Sequence, residues 1–364
     1  MINSLTENDY ALWLFNIRGI GNKAIDKLLC GDRTCKEIYS MDKKELSMIL
    51  SPKQVESLMK SRNVWDFEKE RRKLENNGIR FISRIDDEYP EKLKNIADPP
   101  FALYVKGRLP DPERPSVAII GARMCSEYGR YMARQLGRGL AFAGVQVISG
   151  MARGIDGISQ KAALQAGGQS YGVVGCGVDV CYPDENRDVY EELCLSGGVI
   201  SEFPPGTEPK ASFFPLRNRI ISALSDVVVV VEARRKSGTQ ITVDTALEQG
   251  KEVLACPGRL TDRLSDGCNY LISQGAGVVI DVNDVIDRLW HVKNRSGVHD
   301  PEEALETAIL ESVDVIPISA SGILEMISDK GIDISVPELM KKLFDMSNMG
   351  KIAQNGVYFL KREF

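Results

Sequence analysis

The residues of this chain best suited to chemistry are arginines, glycines and small polar residues that recur just beyond short apolar runs. Gly121, Arg123 and Ser126 follow the run 116–120, and Gly150, Arg153, Gly154 and Asp156 follow 145–148. Gly175 and Gly177 follow 170–174, with Asn186 shortly after. Arg217, Asn218 and Arg219 precede the run 227–231, and Ser237, Gly238 and Thr239 come after it. A guanidinium fork matches phosphate oxygens. Glycine lets a ligand approach the backbone, and the free amides of a helix start attract anions. Together these groups suit holding a chain of phosphates rather than breaking bonds.

Several bond-breaking or cofactor-dependent chemistries fail on their own motifs. No G-x-x-x-x-G-K-[ST] is present, which argues against a P-loop nucleotidase. The first glycine turn reads G-A-R-M-C-S, not the G-x-G-x-x-G of a dinucleotide site. The two histidines, His291 and His299, fall outside the glycine turns, so no Ser/His/Asp set is expected. Eight cysteines are scattered without C-x-x-C pairs, which predicts reduced thiols rather than zinc. No metal and no cofactor are expected.

These turns need a frame that gathers them. Apolar runs at 116–120, 145–148, 170–174, 198–200, 227–231, 253–255 and 278–280 read as strands. Helical stretches lie between them, near 126–143, 155–167, 186–196, 208–224, 240–249 and 265–274. Strands and helices alternating at this spacing predict an α/β fold with a doubly wound parallel sheet. Right-handed crossovers then place successive strand-to-helix turns on one carboxyl edge.

The flanks read differently, and the expected division is 1–83, 84–290, a linker at 291–302, and 303–364. Ser4-Leu5-Thr6-Glu7 resembles a capping box ahead of the first apolar helix. The stretch from Ile17 to Lys23, with Gly19 and Gly21, resembles the turn of a helix-hairpin-helix module, or a plain turn between helices. The lysines and arginines of 60–84 interleave with Glu68, Glu70 and Glu75, which predicts a solvated helix face. Prolines at 90, 99, 100, 110 and 112 punctuate the bridge into the sheet. Beyond Trp290 comes a polar linker around Ser296-Gly297, then three short helices, a turn at Asn355-Gly356 and a final strand.

Charge and hydropathy limit the partners. The 364 residues carry 46 Lys and Arg against 51 Asp and Glu, a net charge of −5. No global basic field points to nucleic acid, and any such binding must come from a local patch. Between Asp300 and Lys351 the acids outnumber the lysines, which favours a protein-contact or regulatory module there over one that contacts DNA. The acidic first residues lack the basic region of a signal peptide, and no apolar run is long enough to span a bilayer, so a cytoplasmic protein is expected.

Taken as a set, GARMCSEYG (121–129), SGMARGID (149–156), GCGVDVCYPDEN (175–186), SEFPPG (201–206), FPLRNRIIS (214–222), SGTQIT, CPG (256–258) and GCNYLISQGA (267–276) resemble DNA-processing protein A, the DprA/Smf family. The resemblance covers about 90–280. It implies a Rossmann-like DNA-binding domain, preceded by a helical sterile-α-motif-like domain and followed by a winged-helix-like one. It also implies a recombination mediator rather than an enzyme. Such a protein binds and protects incoming single-stranded DNA, displaces single-strand-binding protein and loads RecA recombinase during natural transformation, acting as a homodimer through the Rossmann-like domain. Arg123, Ser126, Arg153 and Arg217–Arg219 would line its DNA pocket. One departure stands out: Asp184 follows Tyr182-Pro183, where some members carry a basic residue. The competing reading is a nucleoside-monophosphate hydrolase resembling the LOG proteins, with Glu232 or Glu248 as its carboxylate. Those enzymes carry P-G-G-x-G-T-x-x-E, of which only Gly238-Thr239 remains here.

Overall fold

The computed structural model describes residues 5–295, 301–313, 317–329, 332 and 334–361. It separates into two compact units, Met1–Trp290 and His291–Phe364.

The first unit is built on runs of β-branched and aromatic residues. Its strands are β1 (Ile79–Ser83), β2 (Ala102–Gly107), β3 (Ser116–Ile120), β4 (Gln146–Ser149), β5 (Ser170–Val173), β6 (Gly198–Ser201), β7 (Val227–Val230), β8 (Glu252–Ala255) and β9 (Gly277–Val278). They form one sheet in the order β1-β2-β6-β5-β4-β3-β7-β8-β9. From β6 to β9 every pairing is parallel, with Val117 opposite both Val147 and Val227. β1 and β2 extend it as an antiparallel edge. Strands β3 to β7 are buried residue by residue, as expected where helices cover both faces.

The chain winds outward from β3 through β4, β5 and β6, then returns and winds the other way through β7, β8 and β9. Right-handed crossovers running in opposite directions land on opposite faces. Helices Glu127–Phe142 and Ile155–Gln165 pack together on one face, and Phe213–Leu224 and Gly238–Glu248 on the other. The core of the second face joins Ile220, Leu224 and Val243 to Ile120, Ile148 and Val230. The place where the winding reverses lies between β3 and β7, the position where open α/β sheets accept ligands.

The expected element boundaries shift where local chemistry overrides pattern. The third-layer helix expected from 208 starts at Phe213, after Pro209. β9 ends at Val278 because the Asp284 carboxylate takes the Ile280 amide at 2.7 Å. At the N-terminus the first helix, Glu7–Phe15, is capped by Thr6 paired with Asp9 rather than by Ser4, which lies outside the described residues. Its Trp13 and Leu14 are buried with Ile25, Ile38 and Leu58 of the neighbouring helices, against Phe101 and the first residue of β2, Ala102. The turn before Asn22–Leu29 has Gly19 at φ 88°. The helix that begins at Val282 runs to Arg295, so the stretch read as linker is helical over 291–295; 296–300 lie outside the described residues. Among the described residues no helix is long and apolar enough to cross a membrane.

The second unit has helices Pro301–Ser312, Ala320–Asp329 and Val336–Asn348. Short strands Ile318–Ser319, Ile352–Asn355 and Tyr358–Lys361 form a separate antiparallel sheet. Ile309, Ile323, Leu343 and Phe359 form its core.

The amino edge of the large sheet is tied by charge. Asp226 accepts from the Ser116 amide at 2.9 Å and pairs with Lys92 at 2.6 Å. Lys251 sits close by, and burial, reinforced by the Lys92 charge, pushes its ammonium down to about 8. Between pH 8 and the unfolded value of 10.5 the unfolded chain binds the extra proton, so stability attributable to Lys251 rises with pH across that window. The urea midpoint of the protein is therefore expected to climb from pH 8 to 10 relative to Lys251→Met, at a slope of at most about 1.4 kcal/mol per pH unit. Parallel pH curves for the two proteins would contradict the assignment.

Candidate nucleic-acid interface

The turn after β3 is set by one buried acid. β3 and β7 continue pairing past their ends, with Val231 N–H donating to the Ile120 carbonyl at 3.1 Å and Ala122 N–H to the Glu232 carbonyl at 2.7 Å. Glu232 is fully buried. Its carboxylate accepts the Ser126 amide at 2.9 Å and the Ser126 hydroxyl. The same hydroxyl accepts from Gly129 N–H at 3.2 Å and so caps helix Glu127–Phe142. Ser126 thus orients the turn and does not reach the cavity.

The turn after β4 is held by three other elements. Met151 occupies the left-handed region at φ 54°, a costly place for a side chain with Cβ. Its N–H donates to Gln160 and its carbonyl accepts from Asn186, both at 3.0 Å. Gly154 has φ 75°, and a Cβ there would stand 2.3 Å from the Ala122 carbonyl. The turn therefore nests against the one after β3.

Arg217 completes the edge from the far side. It is only 5 % exposed, and its guanidinium donates to the Gly150 carbonyl at 2.7 Å and to the Val173 carbonyl. Asp156 lies beside it and accepts the Gly150 amide at 3.1 Å. Burial lowers Arg217 to about 10, against the pull of Asp156, so the guanidinium stays charged at neutral pH. Burial raises the Asp156 carboxyl, while Arg217 and the turn amides oppose the rise.

These turns enclose a cavity of about 620 Å³ at the reversal of the sheet. Gly121, Arg123, Asn218 and the helix start Ser237-Gly238-Thr239 line it, with Asp156 and Arg217 in its wall. Two buried donors there lack partners: Arg217 Nε and the Ser237 hydroxyl. An unsatisfied buried donor is costly unless a ligand or water meets it. Aromatic faces complete the wall. The Arg123 guanidinium lies 5.2 Å from the centre of the Phe214 ring, and Tyr182 lies 5.8 Å from the same ring. Sequence reasoning missed these rings as part of the site. Their signal was position, since Tyr182 lies within one motif segment, 175–186, and Phe214 begins another, 214–222.

Other anticipated residues stand outside the cavity lining. Arg153 is exposed and paired with Glu185 at 2.5 Å. Arg219 turns away to Glu202 at 2.9 Å and to the Asp98 carbonyl at 2.8 Å, and Glu202 also accepts from Asn22 at 2.8 Å. Asn186 holds the Met151 and Ala152 carbonyls. Gly150 and Gly154 shape the second turn. Gly175 backs onto the Phe214 ring, and Gly177 bonds to the Thr207 carbonyl at 2.9 Å. Asp184 is engaged by Arg187. Among the described residues no group of His, Cys, Asp or Glu could hold a metal ion.

A mostly parallel, doubly wound sheet with a cleft at its winding reversal defines an α/β protein of the Rossmann-like kind. Residues 80–290 match the model of the family described as DNA recombination-mediator protein A, and the chain belongs to that family. It is 42 % identical over 205 residues to DNA processing protein DprA of Streptococcus pneumoniae, covering 56 % of this chain and 72 % of that one. It is 36 % identical over 295 residues to protein Smf of Escherichia coli, covering 77 % and 76 %. The solved structure of the S. pneumoniae protein superposes with a TM-score of 0.68 at 33 % identity, covering 78 % of this chain and 98 % of that one. A Helicobacter pylori DNA processing protein A, solved for its single-stranded DNA binding mode, gives 0.52 at 32 % identity, covering 58 % and 96 %.

Gly154→Ala is expected to destabilise the first unit by about 1–3 kcal/mol more than Gly167→Ala. Both glycines have φ near 75–78°, but only Gly154 faces backbone oxygens where Cβ would go. Equal losses in denaturant melts would show that the two turns do not nest.

Proposed function

We propose that this protein is a single-stranded DNA-binding recombination mediator, with the switch-point cavity as its strand-binding site. The observation that carries the reading is the pairing of two kinds of wall. Arg123, the partnerless Ser237 hydroxyl and the helix start at Gly238-Thr239 suit phosphates. Tyr182 and Phe214 offer ring faces on which unpaired bases stack. A duplex hides its base faces, so such a cleft favours single strands and reads backbone rather than sequence. In this reading the protein is not a catalyst. It shields incoming DNA in the cytoplasm, displaces single-strand-binding protein and hands the strand to RecA during natural transformation. It works as a homodimer through the sheet domain.

The nucleotide-hydrolase reading needs a free carboxylate near the cavity. Glu232 is buried and engaged by Ser126. Glu248 is exposed at the far end of helix Gly238–Glu248, roughly 15 Å along the axis from its start. For the second unit we favour protein contact within a winged-helix-like module. Its lysines Lys342 and Lys351 are drawn to Glu306, while Val336 and Phe344 on the helix Val336–Asn348 are exposed.

Arg123→Ala is expected to raise the Kd for an oligothymidylate about tenfold and to lower the salt slope by about 0.7, leaving the melting temperature unchanged. Fluorescence anisotropy on single and double strands tests this. An unchanged Kd and slope, or equal affinity for a blunt duplex of the same length, would overturn the reading.

A further inference from the structure

Helix Glu127–Phe142 begins four residues after Arg123 and carries a second cationic feature on its outer face. Arg130, Arg134 and Arg138 recur every four residues and are all exposed. Like charges at this spacing repel along a helix. Glu127 relieves only the first, pairing with Arg130 at 3.2 Å. Among the described residues no carboxylate pairs with Arg134 or Arg138. The row therefore carries an unneutralised charge that an anionic ligand would relieve.

Aromatic rings stand along the same face. Tyr131 is 56 % exposed and Phe142 is 67 % exposed, and the Arg138 guanidinium lies 5.3 Å from the Phe142 ring centre. A groove of about 430 Å³ runs between Tyr131, Arg138, Phe142 and Ile280. Its single acid, Asp281, accepts the Asn283 amide at 2.7 Å. An apolar protein partner would leave a line of guanidinium groups unmatched. Phosphates at regular spacing with unpaired bases match both the charges and the rings.

We propose that this helix face is a second, continuous segment of the strand-binding surface, carrying single-stranded nucleic acid out of the cavity and along the helix for about 24 Å. The inference rests on the cavity being the strand site. It assigns Arg134 and Arg138 to phosphates, and Tyr131 and Phe142 to bases.

The test compares R134Q/R138Q and, separately, Phe142→Ala with the unaltered full chain on oligothymidylates of about 5 and about 20 nucleotides. Glutamine keeps helix propensity, so the double variant is expected to fold. It should lose at least about fivefold in affinity for the long strand, with a salt slope lower by about 1.4, and stay within about twofold on the short one. Phe142→Ala should weaken only the long strand and leave the slope unchanged. A double variant that matches the parent on the long strand overturns the proposal and leaves the face to a protein. Equal losses on both lengths also overturn it, because the arginines would then act through the cavity or the fold. An unaltered protein that binds neither strand removes the cavity reading and this one with it.

Discussion

The carboxyl edge of the sheet depends on one buried guanidinium. Arg217 bonds the carbonyl of Gly150, just past β4, and that of Val173, at the end of β5, while Asp156 balances its charge. A buried charge left unpaired would cost several kcal/mol. Removing either partner therefore harms the turn more than the loss of a single hydrogen bond suggests. The clamp joins helix Phe213–Leu224 on one face to the turn that starts helix Ile155–Gln165 on the other. The cavity is the space left between those elements, so its shape is inherited from the clamp.

This arrangement reconciles an acidic chain with the anionic ligand proposed for it. Carboxylates around the edge are matched locally: Glu185 by Arg153, Asp184 by Arg187, Glu202 by Arg219 and Asp156 by Arg217. Among the described residues Arg123 has no carboxylate partner and rests on the Phe214 ring. The positive field at the cavity thus comes from one free arginine and from helix starts, not from net charge. Asp184, the acid that stands where some family members carry a basic residue, is paired with Arg187, three positions on.

Much of the fold was legible in the sequence because its strands are buried on both faces. Val227–Val230 and Ser116–Ile120 could hardly be anything else, and the order of elements dictated the winding. The two-residue β9 was less legible, since Val279 and Ile280 continue the apolar run while Asp284 captures the backbone. The site was legible as a set of turns but not as a set of roles. Residue type does not say which way an arginine points, and three arginines read alike as phosphate ligands serve different ends. Arg217 could have been separated from its neighbours by period, because Arg217, Ile220, Ile221 and Leu224 fall at i, i+3, i+4 and i+7 on the buried face of their helix. Arg219 and Arg153 depended on acids distant in sequence or across a loop, which no local pattern discloses. The rings at Tyr182 and Phe214 were hidden for the same reason, being brought together only by the sheet.

The claim that the cleft at the winding reversal holds the strand is tested most directly by hydrogen–deuterium exchange of the full chain with and without an oligothymidylate. The account expects slowed amide exchange at 120–126, 149–157, 213–219 and 237–242, four stretches that meet only in the folded sheet. Binding accompanied by protection confined to 301–361, with those four stretches unchanged, would contradict it.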